Sequence, residues 1–132
     1  GGNSGSQASV TVIRAMSLGD VEFKDTFRVL WKEFRVGLIC GISLAAVNFV
    51  KIWLVDKLLL GHEITLMVDL VVCITSGAVV VIAKLVGCVL PLLVEKLGFD
   101  PAVMASPFIS TIMDAVSLLI YFCFAQLMLG LV

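Results

Sequence analysis

Charged residues are scarce in this chain of 132 residues: 14% are Asp, Glu, Lys or Arg, whereas 61% are hydrophobic. A soluble domain keeps about a quarter of its residues charged. Here the charges cluster between apolar runs that are long enough to cross a hydrocarbon core of about 30 Å. The composition therefore excludes the soluble class, and it predicts one all-α integral membrane domain.

Several chemistries lack the residues that they need. The single histidine, His62, precedes Glu63 without the second histidine of a zinc-protease motif. The sequence has no glycine-rich phosphate loop, no nucleophile elbow and no basic stripe with interleaved aromatic residues. An intramembrane aspartyl dyad would need Asp69 and Asp114 together, but we expect Asp69 near a membrane boundary and Asp114 near the middle. We therefore predict neither an enzyme nor a nucleic-acid-binding protein.

The cysteines offer no recognisable site, because no Cys-x-x-Cys pair occurs among them. An unpaired cysteine is most often a small buried side chain. We predict packing positions between helices, without metal or redox chemistry, for Cys40, Cys73, Cys88 and Cys123.

The beginning of the chain has no Met, no basic n-region and no cleavage site. We therefore expect a piece of a longer protein rather than a signal peptide. Small residues such as Gly2, Gly5 and Ala8 favour close helix approach. We interpret residues 1–18 as the second part of a membrane helix whose polar face meets water or protein. A disordered polar N-terminus is the alternative.

Charge and hydropathy divide the remaining sequence. Residues 19–35 mix charged residues with aromatic residues at helical spacing, which predicts an amphipathic segment at the membrane interface. Three apolar runs follow, at residues 36–54, 64–94 and 101–132, and each is long enough to span the membrane. The last run has a broken start, because Asp100-Pro101 and Ser106-Pro107 both resemble a helix beginning. The sequence thus predicts a bundle of about four helices.

Basic residues indicate the orientation of these helices. Residues 14–35 hold most of the Lys and Arg in the chain, so the positive-inside rule predicts that they are cytoplasmic. The loop after the first span, with Lys51 and Lys57, is predicted outside together with the C-terminus. We expect a multi-pass protein of the plasma membrane, in direct contact with the lipid bilayer.

One charge, Asp114, lies deep inside the last apolar run. A carboxylate at membrane depth costs about 2.5 to 3.5 kcal/mol on insertion scales, so we predict a functional site there. Ser106, Ser110, Ser117 and Tyr121 recur at steps of three and four on the same helical face. We predict that this face lines a pore.

A single copy of that face cannot enclose an ion, but a two-fold axis beside the last helix would bring two Asp114 side chains to one pore. A lining that offers only oxygen ligands suits a hard cation. Because Mg²⁺ dehydrates reluctantly, a carboxylate pair that contacts the ion through its water shell is favoured. We therefore predict a homodimer that transports Mg²⁺.

Another class of protein also fits the sequence. In a non-transporting helical anchor or assembly domain, Asp114 would pair with Lys84 inside one subunit. A neutralised ion pair offers no cation site, so the proximity of these two side chains distinguishes the two hypotheses. Alternatively, Lys84 extends its ammonium group towards the cytoplasmic side.

Three stretches carry a resemblance to a known family. They are Gly2-Asn3-Ser4-Gly5-Ser6-Gln7 with Arg14, Ala83-Lys84-Leu85-Val86-Gly87 with Pro91, and Asp100-Pro101-Ala102-Val103 leading to Ser106-Pro107, Thr111 and Asp114. Together they resemble the transmembrane domain of the MgtE family of magnesium channels and transporters. The resemblance covers nearly the whole chain, and its C-terminal motif is specific.

The resemblance implies a subunit of five membrane helices, a homodimer, and a Mg²⁺ pore lined by the second and fifth helices. It implies that Asp114 is the ion-binding residue, and that the pore is also lined by Ser106, Ser110, Gly2, Ser6 and Val10. Ser6 and Val10 stand where some members carry Asn and Thr. The first membrane helix and the cytosolic gating domains are missing from these residues, so gating by intracellular Mg²⁺ would reside elsewhere.

Overall fold

The computed structural model describes residues 2–59, 61, 66–105 and 107–130. Within these residues the chain forms four α-helices and no strand, which confirms the predicted all-α bundle. The helices are α1 (Gly2–Ser17), α2 (Thr26–Lys51), α3 (Leu66–Lys96) and α4 (Pro107–Leu129). By length and composition, three segments suit a membrane crossing: Thr26–Val55, Met67–Lys96 and Pro107–Leu129.

The helix α2 does not stop where its composition changes. Residues 19–35 and 36–54 are predicted as separate segments, but one helix runs from Thr26 to Lys51 and continues as π-helical turns over Ile52–Leu59. No proline interrupts this stretch, and its two isolated glycines, Gly37 and Gly41, are weak breakers. The change from charged to apolar residues therefore marks a change of surroundings and not of backbone.

Two helices end in the same way. Gly19 after α1 and Gly98 after α3 have φ values of 75° and 88°. In both, the glycine N–H and the following N–H donate to carbonyls of the last helical turn at 3.0 Å. This is a Schellman motif, and glycine is favoured there because the left-handed conformation strains other residues.

The start of α4 is built in two steps. A 3₁₀ turn covers Pro101–Ala105, and α4 itself begins at Pro107. The N–H of Ala102 donates to Oδ1 of Asp100 at 3.0 Å. Asp100 thus caps the 3₁₀ turn, as an N-cap aspartate caps the first turn of a helix.

A stripe of residues at steps of four joins α2 to the antiparallel α3. Glu33, Gly37 and Gly41 are the buried residues of α2. Oε2 of Glu33 lies 3.4 Å from Nζ of Lys84, and the two side chains are only 9% and 10% exposed. At Gly41 a β-carbon would lie 2.9 Å from the carbonyl oxygen of Gly77, so the two backbones touch there.

The backbones of α1 and α3 also touch. A β-carbon on Gly87 would collide with the carbonyl oxygen of Gly5. Beside this crossing, Ala8 and Val12 of α1 pack on Cys88 and Leu92 of α3. Small residues replace hydrophobic attraction as the basis of helix packing in a membrane, because lipid is as apolar as the side chains.

The helix α3 lies at the centre of the bundle. It packs against α1, α2 and α4, and its Ala83 belongs to a cluster with Ile109 and Met113 of α4. The other spans expose much of their apolar surface, for example Ile42 of α2 and Leu119 of α4. That exposure suits surfaces that face lipid or other protein.

We expect Gly87→Ala to destabilise the bundle, because the added methyl group would overlap the Gly5 backbone too deeply for a small shift to relieve. Overpacking costs about 1 to 3 kcal/mol. Gly37→Ala is the matched control: its β-carbon would lie 3.3 Å from Cα of Val81, a contact that a small shift relieves. The thermal midpoint in detergent should fall clearly for Gly87→Ala and little for Gly37→Ala; equal midpoints would contradict the assigned crossing.

We expect Lys84→Met to destabilise the fold, since it leaves the Glu33 charge buried without its partner. Removing one member of a buried pair costs about 3 to 5 kcal/mol, whereas replacing both with apolar residues is often neutral. The variant with both Glu33→Met and Lys84→Met should therefore recover most of the thermal midpoint.

The control is Lys24→Met, which breaks an exposed pair in which Nζ of Lys24 lies 3.3 Å from Oε2 of Glu22. Exposed pairs contribute about 0 to 1 kcal/mol. A loss for Lys84→Met as small as that for Lys24→Met would show that the buried pair has no structural role.

Candidate cation site

Polar positions of α1 and α4 face one another where these two helices pack. A β-carbon on Gly2 would lie 2.7 Å from Oδ1 of Asp114. One turn away, the hydroxyl oxygens of Ser6 and Ser110 are 3.2 Å apart and share a hydrogen bond. The structure thus brings four of the predicted site residues together. Of the other two, Val10 is exposed on α1, and Ser106 lies outside the described residues.

The absence of a side chain at Gly2 has a direct consequence for this geometry. At 2.7 Å, a β-carbon there would be closer to Oδ1 of Asp114 than real β-carbons approach other atoms. A larger residue would therefore push the carboxylate away or separate the two helices. Glycine allows α1 to approach the carboxylate directly.

Asp114 is exposed on the surface of the chain, although the helix around it is apolar. No salt bridge among the described residues involves it. In a bilayer an exposed surface meets lipid, water or another protein surface, and a carboxylate against lipid is costly. The side of the molecule that carries Asp114 is therefore suited to water or to a second polar surface.

The helix α1 adds polar groups that are not among the predicted site residues. Asn3, Gln7 and Thr11 are exposed at steps of four, and Val10 is exposed between them. The hydroxyl of Thr11 donates to the Gln7 carbonyl oxygen at 2.8 Å, so it is used within its own helix. By helical geometry this row lies beside the stripe that includes Ser6. The four-residue spacing was the signal that could have identified it.

The predicted polar row of α4 is not uniform. Tyr121 is exposed, but the hydroxyl oxygen of Ser117 is buried without a hydrogen-bond partner among the described residues. Helical spacing places residues on a common side only roughly, and the packing of α4 on α3 decides which of them are covered. Of this predicted row, only Ser110 and Asp114 are shown in contact with α1 among the described residues.

The ion pair required by the anchor hypothesis does not form. Lys84 lies 3.4 Å from Glu33 on α2, not beside Asp114. Glu33 is not among the predicted partners of Lys84, because it lies in a charged segment that the sequence predicts to be interfacial. Its four-residue spacing from Gly37 and Gly41 was the signal that could have placed Glu33 on the buried side of α2. The pairing with Glu33 neutralises Lys84 without using Asp114.

Asp69, another carboxylate within the spans, has a different environment from that of Asp114. Asp69 is buried, and its Oδ1 accepts a hydrogen bond from the Cys73 thiol at 3.5 Å. Burial of the cysteines is confirmed for Cys73 and Cys88, but it is wrong for Cys40 and Cys123, which are exposed. Both lie on the outer sides of α2 and α4, where apolar residues are exposed rather than packed.

The ligands offered by one copy of the chain are oxygens: a carboxylate from Asp114 and hydroxyls from Ser6 and Ser110. The described residues contain no group of three or more His, Cys, Asp or Glu side chains that could hold a metal ion. One copy therefore does not replace the water shell of a small divalent cation. It can contact a hydrated hard cation through one charge and two hydroxyls.

Comparison with known proteins identifies the family. Residues 1–124 match the MgtE family, which is described as a divalent cation transporter. The chain is 38% identical over 129 residues to the magnesium transporter MgtE of Thermus thermophilus, covering 98% of this chain and 27% of that protein. It is 32% identical to MgtE of Enterococcus faecalis over 128 residues, with 96% and 26% covered. For MgtE of Bacillus subtilis the identity is 33% over 125 residues, with 92% and 25% covered.

The chain spans about a quarter of the length of these curated relatives. The match nevertheless includes all the described site residues, from Gly2 on α1 to Asp114 on α4. The chain belongs to the MgtE family of divalent cation transporters.

Proposed function

We propose that two copies of this chain form one Mg²⁺ pathway through the plasma membrane, with both Asp114 carboxylates facing a shared pore. The observation that carries this proposal is the exposed Asp114 on an apolar helix, beside the polar groups of α1. A lipid-facing carboxylate is disfavoured, so this surface needs water and polar neighbours. A second copy of the chain supplies the polar neighbours and encloses the water between the two surfaces.

Symmetry and electrostatics support a homodimer. A two-fold axis beside α4 duplicates the same surface and so places the same residues on both sides of one passage. Two carboxylates across that axis repel each other when the site is empty. A divalent cation relieves the repulsion and is attracted by both charges, which favours binding of a doubly charged ion.

The choice of Mg²⁺ rests on ligand chemistry and on the relatives. Carboxylate and hydroxyl oxygens suit hard cations, and Mg²⁺ keeps several of its waters. The three relatives reported above are named magnesium transporters. In this proposal Mg²⁺ is the transported substrate, and Asp114 binds it through its water shell.

The orientation is part of the proposal. The end of the bundle that carries residues 14–35 holds most of the basic residues, so we assign it to the cytoplasm and the C-terminal end of α4 to the outside. The family resemblance implies cytosolic gating domains beyond this chain, and we assign the response to intracellular Mg²⁺ to them.

We expect Asp114→Asn to abolish most Mg²⁺ uptake by reconstituted vesicles while leaving membrane insertion and the thermal midpoint unchanged. The amide keeps the shape of the side chain but removes one charge from each copy, and the charges supply the attraction for the cation. Ser110→Ala removes only a hydroxyl, so the loss of Mg²⁺ binding free energy should stay near that of one ordinary hydrogen bond, about 0.5 to 1.5 kcal/mol.

Asp69→Asn is the matched control, because it makes the same chemical change at another aspartate of the described spans, which is buried beside Cys73. Its uptake should remain close to that of the unmodified protein. Normal uptake and normal Mg²⁺ affinity in Asp114→Asn would mean that Asp114 is structural, as in a membrane anchor.

We expect a cysteine at Thr111 to form a disulfide-linked dimer under mild oxidation, because Thr111 is exposed on α4 within one turn of Asp114. The background should lack the exposed Cys40 and Cys123. A cysteine at Ile39, exposed on α2, should remain monomeric on denaturing gels. Equal cross-linking at both positions would indicate random collision between chains and would count against a two-fold axis beside α4.

A further inference from the structure

An open apolar groove separates the beginning of α2 from the second half of α3. It has a volume of about 640 Å³ and is lined by aromatic residues of α2, including Phe27 and Trp31, and by aliphatic residues of α3, including Leu85 and Val89. The Trp31 and Phe34 rings stack with centroids 6.0 Å apart. The groove has the dimensions of a ligand site, for which volumes of about 300 to 1,000 Å³ are typical.

A second, polar cavity of about 490 Å³ adjoins the groove, and Trp31 lines both. Arg28, Lys32 and Arg35 line this second cavity. The guanidinium carbon of Arg35 lies 5.9 Å from the centre of the Trp31 ring. An apolar groove thus opens beside a cluster of cations, and one tryptophan forms the boundary between them.

The charge balance of the polar cavity is positive. Its acidic residues are Asp20 and Glu33, and Glu33 is already paired with Lys84. Arg28 has Asp25 within 3.5 Å. Lys32 and Arg35 are exposed, and against the one remaining acid, Asp20, they leave an excess of one positive charge that an anion would neutralise.

The depth of the groove suits a lipid chain. Leu85 and Leu90 precede the end of α3 at Lys96 by 11 and 6 residues, which places them about 9 to 17 Å below that end at about 1.5 Å per residue. This depth corresponds to one leaflet of a hydrocarbon core about 30 Å thick. The cation cluster lies at the beginning of α2, where headgroups are expected.

We propose that this composite surface binds an anionic phospholipid, with an acyl chain in the groove and the phosphate beside Lys32 and Arg35. The argument is independent of the proposed Mg²⁺ pathway. A protein helix could fill the groove, but an apolar one would leave the adjacent cations without counter-charge. Basic residues close to a membrane attract anionic lipids. One phospholipid would fill the groove with an acyl chain and neutralise the adjacent cations with its phosphate.

The test uses the full protein, in a variant where Trp31 is the only tryptophan, reconstituted into vesicles that contain lipid with brominated acyl chains. Bromine quenches tryptophan fluorescence on contact. Brominated phosphatidylglycerol should quench Trp31 at roughly fivefold lower content than brominated phosphatidylcholine, because a net excess of one positive charge near the surface is worth about this factor. Raising the salt concentration should reduce the preference in the unmodified chain.

Variants separate the two parts of the site. Lys32→Gln with Arg35→Gln should abolish the preference for the anionic lipid, whereas Lys24→Gln should retain it, because Lys24 pairs with Glu22 and lines neither cavity. Val89→Phe should reduce quenching by both lipids. Ile42→Phe, in an apolar groove between α2 and α3 without charged lining residues, should not.

Equal quenching by the two lipids, or a preference that survives the removal of both cations, would overturn the proposal. Quenching by neither lipid would also overturn it, since it would mean that protein covers the groove.

Discussion

The contact of bare backbone at Gly5 and Gly87 fixes the position of α1, and the candidate site depends on that position. Because α1 touches α3 there, a neighbouring stripe of α1, with Gly2 and Ser6, lies against α4. A further side of α1, with Asn3 and Gln7, remains exposed. In lipid, close packing of small residues replaces the hydrophobic attraction that would hold such helices in water.

The charges inside the spans divide into two kinds under the same physical constraint. Glu33 and Lys84 satisfy each other in the bundle, so they stabilise the contact of α2 with α3 and leave nothing for an ion. Asp114 has no ionic partner in the described part of the chain, and it is exposed. A carboxylate at membrane depth is costly unless it has a partner, and the proposed pathway assigns a cation as the partner of Asp114.

Much of this could be predicted from the sequence, because the strongest signals are local. One carboxylate in an apolar run makes Asp114 the candidate site, and the Asp100-Pro101 signal predicts the broken start of α4 that the structure shows. Features that depend on contacts between helices were not predictable: the partner of Lys84, the inward position of Ser117 and the exposure of Cys40 and Cys123. The sequence predicts a boundary between residues 35 and 36 that α2 does not have. Hydropathy reports the surroundings of a helix, whereas the helical backbone continues until a residue breaks it.

The central claim is that two Asp114 carboxylates serve one pore, and mixed dimers test it most directly. Unmodified and Asp114→Asn copies with different affinity tags are co-expressed, and dimers carrying both tags are purified and reconstituted. If each copy had its own pathway, the mixed dimer would retain half of the Mg²⁺ uptake. The account predicts uptake far below half, because one charge is lost from the only pore. Uptake at half the unmodified rate would contradict it.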